Sequence, residues 1–123
     1  MNSYEIAKNA AEIALSKKAS DVVLMDLRKV SSMADYFLIC TGDVDLHVKA
    51  IVDEIKGRLR DQRIKPWHVE GYQNLNWVLM DYVDVVVHVF RPEMRDFYNL
   101  EKLWGDAPMQ SFADSEAQPA VNS

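Results

Sequence analysis

The spacing of apolar residues along the chain predicts two amphipathic helices. In the segment from Ser3 to Lys18, apolar residues recur every three or four positions, and Asn2 and Glu5 are placed to form a capping box. A second helix follows Gly42, and its apolar face carries Val48, Ile51, Val52, Ile55 and Leu59. Charged residues occupy the opposite side of this helix, so one side is suited to packing against a sheet.

Short runs of β-branched and aromatic residues predict the strands of that sheet. The runs are DVVLMDL (21–27), DYFLICT (35–41), the brief HVEGY (68–72) and two runs within WVLMDYVDVVVHVF (77–90). The first two runs are almost continuously apolar, which indicates a sheet covered on both faces by helices.

The stretch WVLMDYVDVVVHVF predicts a hairpin that bends around Tyr82, Val83 and Asp84. Alternation along strands then divides its side chains between the two faces of the sheet. One face of the first strand carries Trp77, Leu79 and Asp81, and the other carries Val78, Met80 and Tyr82. One face of the second strand carries Asp84, Val86, His88 and Phe90.

The end of the chain predicts one more helix and then a tail. Pro92 suits the first turn of a helix that continues through EMRDFYNLEKLW (93–104), because the proline ring already has a helical φ. The predicted fold is a single α/β domain over residues 1–106, in the order α-β-β-α-β-β-β-α, with a mixed sheet of about five strands flanked by helices. Residues 107–123 lack Lys and Arg and are rich in Ala, Ser, Gln and Pro, so we expect a disordered tail.

Charge and cysteine content narrow the classes of function. Fourteen basic and nineteen acidic residues give a net charge of −5, the wrong sign for a protein that binds mainly by neutralising phosphates. We therefore expect no direct nucleic-acid specificity. The single Cys40 cannot form an intramolecular disulfide, and no apolar stretch approaches the length needed to cross a bilayer. The start of the chain lacks the apolar segment of a signal peptide, so we expect a soluble, cytoplasmic protein without a membrane partner.

Three polar residues of the hairpin are candidate metal ligands or acid/base groups: Asp81, Asp84 and His88. On a strand, Asp84 and His88 would lie about 13 Å apart, too far to share an ion. The interpretation we favour is that the two carboxylates accept from backbone amides at the bend and that His88 is a hydrogen-bonded sheet residue. The apolar strand around Cys40 predicts a buried thiol, and no phosphate-binding glycine motif or nucleophile elbow is present. The residues thus predict no catalytic, cofactor or metal site.

Several motifs resemble the ribosomal silencing factor RsfS, or Iojap, family. They are DYFLICTG (35–42), HVKAI (47–51), EG (70–71), WVLMDYVDVVVHVF (77–90) and FYNLEKLW (97–104), in the order and spacing of that family. The resemblance extends from about Ser20 to Trp104. It implies a non-enzymatic translation repressor that binds the large ribosomal subunit, chiefly its protein number fourteen, and sterically blocks joining with the small subunit.

The resemblance also implies a nucleotidyltransferase-like fold without the active site. Those enzymes use Gly-Ser before a helix and a pair of carboxylates spaced two apart on a later strand. Here Gly42 is followed by Asp43, and Asp84 is followed by two valines. Two alternatives stay open at this point: a metal-dependent enzyme on the same scaffold that uses Asp81, Asp84 and His88, and a homodimerising interaction module.

The predicted contact residues for a partner are mainly aromatic anchors with an acidic rim. They are Trp77, Leu79, Asp81, Tyr82, Val83, Asp84, His88, His47, Tyr98 and Trp104. Among these, Trp77, Asp81 and Tyr82 are the leading candidates, and the family resemblance is what favours Trp77 as a contact over a core residue.

Overall fold

The two long helices form where the apolar spacing predicts them. The computed structural model describes residues 1–113 and places helix α1 at Ser3–Ser16 and helix α2 at Asp45–Asp61. The capping box at the start of α1 is confirmed: Asn2 Oδ1 accepts from the Glu5 backbone amide at 2.8 Å, and Glu5 Oε1 accepts from the Asn2 amide at 3.0 Å. These reciprocal bonds satisfy two backbone donors that the first turn leaves without helical partners.

The strands form one mixed sheet, which confirms the α/β prediction. In chain order they are β1 (Ser20–Asp26), β2 (Tyr36–Thr41), β3 (His68–Glu70), β4 (Trp77–Asp81), β5 (Val85–Phe90) and β6 (Met109–Phe112). Their order in the sheet is β3-β4-β5-β2-β1-β6, so the described residues supply six strands instead of about five. Strands β2 and β5 pair in parallel, and every other pair of adjacent strands in the described sheet is antiparallel.

Strand β6 corrects the expected boundary between domain and tail. Residues 109–112 pair antiparallel with β1, in a register that places Met109 opposite Met25. The Asp26 amide also donates to the Pro108 carbonyl at 2.9 Å. Residues 107–113 therefore belong to the fold, and the remaining residues of the expected tail, 114–123, lie outside the described part of the chain.

The single helix predicted after Pro92 is wrong, because the chain forms two short helices. Helix α3 covers Pro92–Tyr98 and helix α4 covers Leu100–Leu103. Between them Asn99 has φ +43, a left-handed conformation that asparagine tolerates better than most residues, and its side chain accepts from the Lys102 amide at 3.2 Å.

Buried Arg95 fixes this helical segment to the ends of β1 and β2. Its Nη1 donates to the Asp21 carbonyl at 2.6 Å and to Thr41 Oγ1 at 2.8 Å. Its Nε and Nη2 donate to the Glu101 carboxylate at 3.2 and 2.8 Å. The guanidinium thus joins α3, α4 and two strands through directed bonds.

The two faces of the sheet carry separate apolar cores, as alternation along the strands requires. Helices α1 and α2 cover one face, where Leu38, Cys40, Val87 and Val89 are buried. On the other face Phe37, Ile39, Val86 and Phe90 pack beneath the α3–α4 segment. That second face leads to the candidate site.

Candidate partner-binding face

The β4–β5 hairpin ends in a tight turn at Val83, as predicted. Trp77 pairs with Phe90 and Asp81 pairs with Val86; β4 ends at Asp81 and β5 begins at Val85, so the turn consists of residues 82–84. Asp81 Oδ1 accepts from the Val83 amide at 2.7 Å, which makes Asp81 the side chain that shapes the bend. Asp84 contributes through its backbone carbonyl, which accepts from the Asp35 and Tyr36 amides at 2.8 and 3.1 Å.

Val83 has an unusual backbone conformation for its residue type. Its φ is +74°, a region that β-branched residues rarely adopt because the side chain crowds the backbone. The side chain is also 60% exposed, so the strained residue presents an apolar surface to solvent at the hairpin tip. Backbone strain of this kind is often found where a residue serves binding.

Six aromatic rings gather on the sheet face beneath α3 and α4. We call this group the aromatic cluster; it consists of Phe37, Trp77, His88, Phe90, Tyr98 and Trp104. The Trp77 ring stacks on Phe90 with centroids 5.0 Å apart and lies 4.6 Å from Tyr98. Phe37 meets His88 edge-on at 4.5 Å and Trp104 at 6.3 Å. The cluster therefore joins the strands to the helical segment.

His88 lies at the centre of the aromatic cluster and is only 3% exposed. Its Nδ1 accepts from Trp77 Nε1 at 3.0 Å, and Nε2 has no partner among the described residues. Burial lowers the His88 pKa to about 3, because the charged imidazolium loses its hydration there. The imidazole is thus neutral with its proton on Nε2, and it orients the Trp77 indole.

The candidate metal ligands do not converge. Asp81 uses its carboxylate at the turn, and His88 is buried against Trp77. Within residues 1–113, no three His, Cys, Asp or Glu side chains are grouped to hold a metal ion. Cys40 is fully buried, and burial raises its pKa to about 12, so the thiol is unsuited to act as a nucleophile at neutral pH.

Most of the predicted contact residues form one strip along β4. Trp77, Leu79 and Asp81 are half-buried on the same face, with Val83 and Asp84 exposed beyond them at the tip. At the other end, Tyr98 is 46% exposed beside Trp77. Half-buried Trp104 lies further inside, over Phe37. The strip runs from an acidic hairpin tip to an aromatic end.

Two of the predicted contact residues, Tyr82 and His88, are buried in the structure and offer a partner almost no surface. Tyr82 is 8% exposed and packs in the core between sheet and helices, and burial raises its pKa to about 12. His88 has equally little surface to offer a partner. Tyr82 lies in the turn and His88 on β5, each on the face that alternation predicts, but the covering of each face depends on helices distant in sequence.

His47 belongs to a different part of the molecule. Its Nδ1 accepts from the Asp43 amide at 2.9 Å, and its Nε2 donates to the Lys17 carbonyl at 2.7 Å. These bonds connect the end of α1 to the start of α2, in the helical layer on the opposite face of the sheet. The half-buried imidazole has a structural role there.

Sequence reasoning missed the most exposed apolar side chains of this region. Phe97 is 78% exposed and Leu103 is 70% exposed, on the α3–α4 segment that packs over the aromatic cluster. Met33, which is 72% exposed, precedes Ala34 and Asp35 beside the hairpin tip. The motif FYNLEKLW contained these aromatic and leucine residues, but only the break at Asn99 shows which of them face solvent.

Comparisons with known proteins identify the family. The family model described as "Ribosomal silencing factor during starvation" matches residues 1–123. The ribosomal silencing factor RsfS of Bacillus subtilis is 48% identical over 109 residues, which cover 89% of this chain and 92% of the relative. The chain belongs to the ribosomal silencing factor family. Membership in this family implies ribosome-associated repression of translation.

Solved structures of similar proteins have the same fold. A crystal structure from Chromobacterium violaceum superimposes with a TM-score of 0.83 at 36% identity, covering 97% of this chain and 98% of the other. A second, from Bacillus halodurans, gives a TM-score of 0.73 at 41% identity over 89% of this chain and 96% of the other. In residues 1–113 of this chain, no helix has both the length and the apolarity needed to span a membrane.

Proposed function

We propose that this chain binds the large ribosomal subunit through its protein number fourteen and sterically blocks joining with the small subunit. The observation that carries the proposal is the strip from the hairpin tip along β4 to Tyr98, where aromatic and strained apolar side chains stay accessible. Family membership supports the ribosome as the site of action.

The strip has the composition of a binding surface. Trp and Tyr dominate interface energies when a partner buries them, often by about 2 kcal/mol or more per residue. Trp77 is held in place before binding by its bond to His88 and by stacking on Phe90, so little side-chain entropy remains to be lost. Rigid anchors of this kind favour docking of a preformed surface.

The acidic tip complements a basic ribosomal protein. Asp84 is exposed, no side-chain bond holds its carboxylate within the described residues, and the chain as a whole has a charge of −5. Opposite charges at the rim accelerate association and fix orientation more than they add affinity. We therefore expect Asp84→Lys to slow association, with the effect shrinking as salt is raised.

The mechanism is occupancy without turnover. A protein held on the face where the small subunit docks prevents joining for as long as it stays bound, and no bond needs to be made or broken. The metal-dependent alternative requires saturable binding of Mg²⁺ and a nucleoside triphosphate. Isothermal calorimetry with both ligands tests it directly, and detectable binding would favour that alternative.

Sedimentation with isolated large subunits tests the contact strip. Val83→Gly is the sharpest variant: glycine adopts φ +74 without strain, so the fold becomes more stable while an exposed apolar contact is lost. Tyr98→Ala removes a 46% exposed ring, and we expect at least about a tenfold weaker affinity. Leu46→Ser is the matched control, since Leu46 is 71% exposed on α2, away from the strip.

Two outcomes would count against the proposal. If wild-type protein fails to sediment with large subunits or to reduce formation of joined ribosomes, the ribosomal role is wrong. If both strip variants bind as the control does, the contact lies elsewhere.

A second copy of the chain is the alternative occupant of this face, and light scattering over a range of concentrations measures whether the free protein forms homodimers.

A further inference from the structure

A basic segment covers the end of α2 and the first residues of the connection to β3. Residues 56–65 read KGRLRDQRIK, with five basic residues and one acidic residue, in a chain whose net charge is −5. The acidic excess is therefore carried elsewhere, and this segment is locally positive. Local potential, more than net charge, decides which ligands a surface attracts.

The fold gathers part of this segment around a groove of about 410 Å³. The groove is lined by Lys56, Arg60, Lys65, Pro66, Trp67, His68 and Val69, none of which is acidic. Lys56 and Arg60 are one helical turn apart on α2. The chain then reverses at Arg63, which has φ +65, and the Ile64 amide donates to the Leu59 carbonyl at 2.9 Å. This turn brings Lys65 back to the helix.

Three cations of the segment form no ion pair with any residue that the structure describes. Within residues 1–113, no carboxylate oxygen lies within 4.0 Å of Arg60, Arg63 or Lys65. Elsewhere on α2, Lys49 bonds to Asp53 at 2.9 Å, so charges on the same helix are neutralised where carboxylates are available. The positive charge at the groove is therefore available to bind an external anion.

Trp67 provides a second, independent observation. The side chain is 77% exposed, whereas the other two tryptophans, Trp77 and Trp104, are half-buried. Its backbone is fixed, because the Trp67 amide donates to the Asp81 carbonyl at 2.7 Å and extends the pairing of β3 with β4. A solvent-facing indole on a fixed backbone, beside cations, presents a flat surface for stacking.

We propose that this groove binds RNA, with Lys56, Arg60 and Lys65 on the phosphodiester backbone and Trp67 stacked on an unpaired base. Cations beside an exposed aromatic ring are the combination that single-stranded nucleic acid requires. An acidic peptide would use the cations but would leave the indole without a stacking partner. The inference deepens the proposed function, because ribosomal RNA surrounds the proteins of the large subunit. The net charge led us to expect no direct nucleic-acid specificity. The proposal adds contacts to the RNA backbone and a stacked base, and it includes no sequence-specific readout.

Fluorescence anisotropy with a labelled single-stranded RNA of about twelve nucleotides tests the groove without the ribosome. Wild-type protein should bind with an affinity that falls steeply with salt. Trp67→Ala should weaken binding about tenfold, from the loss of one stacked base. Reversal of two charges in Arg60→Glu/Lys65→Glu should weaken it further and flatten the dependence on salt.

Matched controls separate the groove from general effects of charge and exposed rings. Lys8→Glu/Lys29→Glu also reverses two charges, at exposed residues on α1 and between β1 and β2, and Phe97→Ala removes another highly exposed ring. Both should bind RNA as the wild type does. Weakening by Lys8→Glu/Lys29→Glu equal to that by Arg60→Glu/Lys65→Glu would reduce the effect to net charge and overturn the proposal.

Other results would overturn it as well. Unchanged RNA binding by Trp67→Ala and the double reversal would remove the groove as the site. Tighter binding of a polyglutamate peptide or of anionic phospholipid vesicles than of RNA would assign the groove to those ligands. Val83→Gly and Tyr98→Ala should retain RNA binding while losing subunit binding, so failure of one proposal is distinguishable from failure of the other.

Discussion

The buried His88 predicts a specific loss of stability in mild acid. In the folded protein burial holds the His88 pKa near 3, whereas the unfolded chain has the ordinary histidine value of 6.5. Above pH 6.5 the residue is neutral in both states and contributes nothing to pH dependence. Below it, the unfolded state takes up a proton that the folded state excludes, so the unfolding free energy falls as the pH falls.

The size of this effect follows from the width of the pH window. Each pH unit between 6.5 and about 3 costs roughly 1.4 kcal/mol, because one more proton binds the unfolded than the folded chain. At pH 5 the loss is therefore about 2 kcal/mol, a substantial share of the stability of an ordinary domain.

Urea denaturation of the wild type and of His88→Phe, at pH 7.5 and pH 5, measures the effect. Phenylalanine keeps a ring against Phe37 and Phe90 but cannot titrate. It also leaves Trp77 Nε1 without its acceptor, which shifts the variant's stability equally at both pH values. We expect the wild type to lose about 2 kcal/mol more than the variant between the two conditions. Parallel losses would refute the buried, neutral state of His88.

Three further predictions concern the fold. Gly57→Ala should raise the unfolding free energy by about 0.5–1 kcal/mol, because the new Cβ on α2 meets nothing within 4 Å. Gly71→Ala should lower the unfolding free energy by about 2 kcal/mol or more, since φ is +82 and the Cβ would lie 2.0 Å from the Trp77 carbonyl oxygen. Urea denaturation of both variants tests the contrast. Arg95→Ala should cost about 3 kcal/mol in the same assay, because Glu101, Thr41 and the Asp21 carbonyl lose a shared buried partner. Cys40 should resist iodoacetamide at pH 8 in native protein and react after unfolding; rapid native alkylation, followed by mass spectrometry, would contradict its burial.

The strands and long helices were predictable because their signals are local. Period-two alternation placed Trp77, Leu79 and Asp81 on one face of β4, and the structure agrees. Helical spacing similarly located the buried side of α2. In both elements the residues that face the core are apolar enough for the pattern to be read without knowledge of the neighbours.

Strand β6 and the break at Asn99 were not predictable in the same way. The segment MQSF is short and mostly exposed, so it carries no apolar pattern, and its pairing is decided by the available edge of β1. At Asn99 the chain changes direction through one left-handed residue inside a segment that otherwise reads as a helix. Tertiary packing overrides local preference at both positions.

The candidate site was also predictable only in part. Which residues share a face followed from the sequence, but exposure did not, because it depends on what covers each face. Tyr82 is buried beneath the helical layer, and His88 is enclosed by rings from β2, β4 and β5. The signal that could have marked His88 as internal is its pairing with Leu79 across the hairpin, which places the Trp77 ring diagonally across from it once the register is known.

The RNA groove and the Tyr98 end of the contact strip lie at opposite ends of β4, which gives a joint prediction for the ribosome. Tyr98 packs on Trp77 at one end, and Trp67 bonds to Asp81 at the other, about 13 Å away along the strand. The groove lies on the side of the sheet that α2 covers, and Tyr98 lies on the other side. Both are fixed to one sheet, so a docked molecule can contact RNA on one side and a protein on the other without reorganising. Binding energies at well-separated positions add.

The loss of large-subunit affinity in the double variant Tyr98→Ala/Trp67→Ala should therefore equal the product of the two single losses. Sedimentation titrations of the four proteins at one salt concentration measure it. A double variant that binds no worse than Tyr98→Ala would place the RNA groove away from the subunit, even if the groove binds free RNA. A double variant much weaker than the product would show that the two contacts depend on each other, which a rigid sheet with separate sites does not allow.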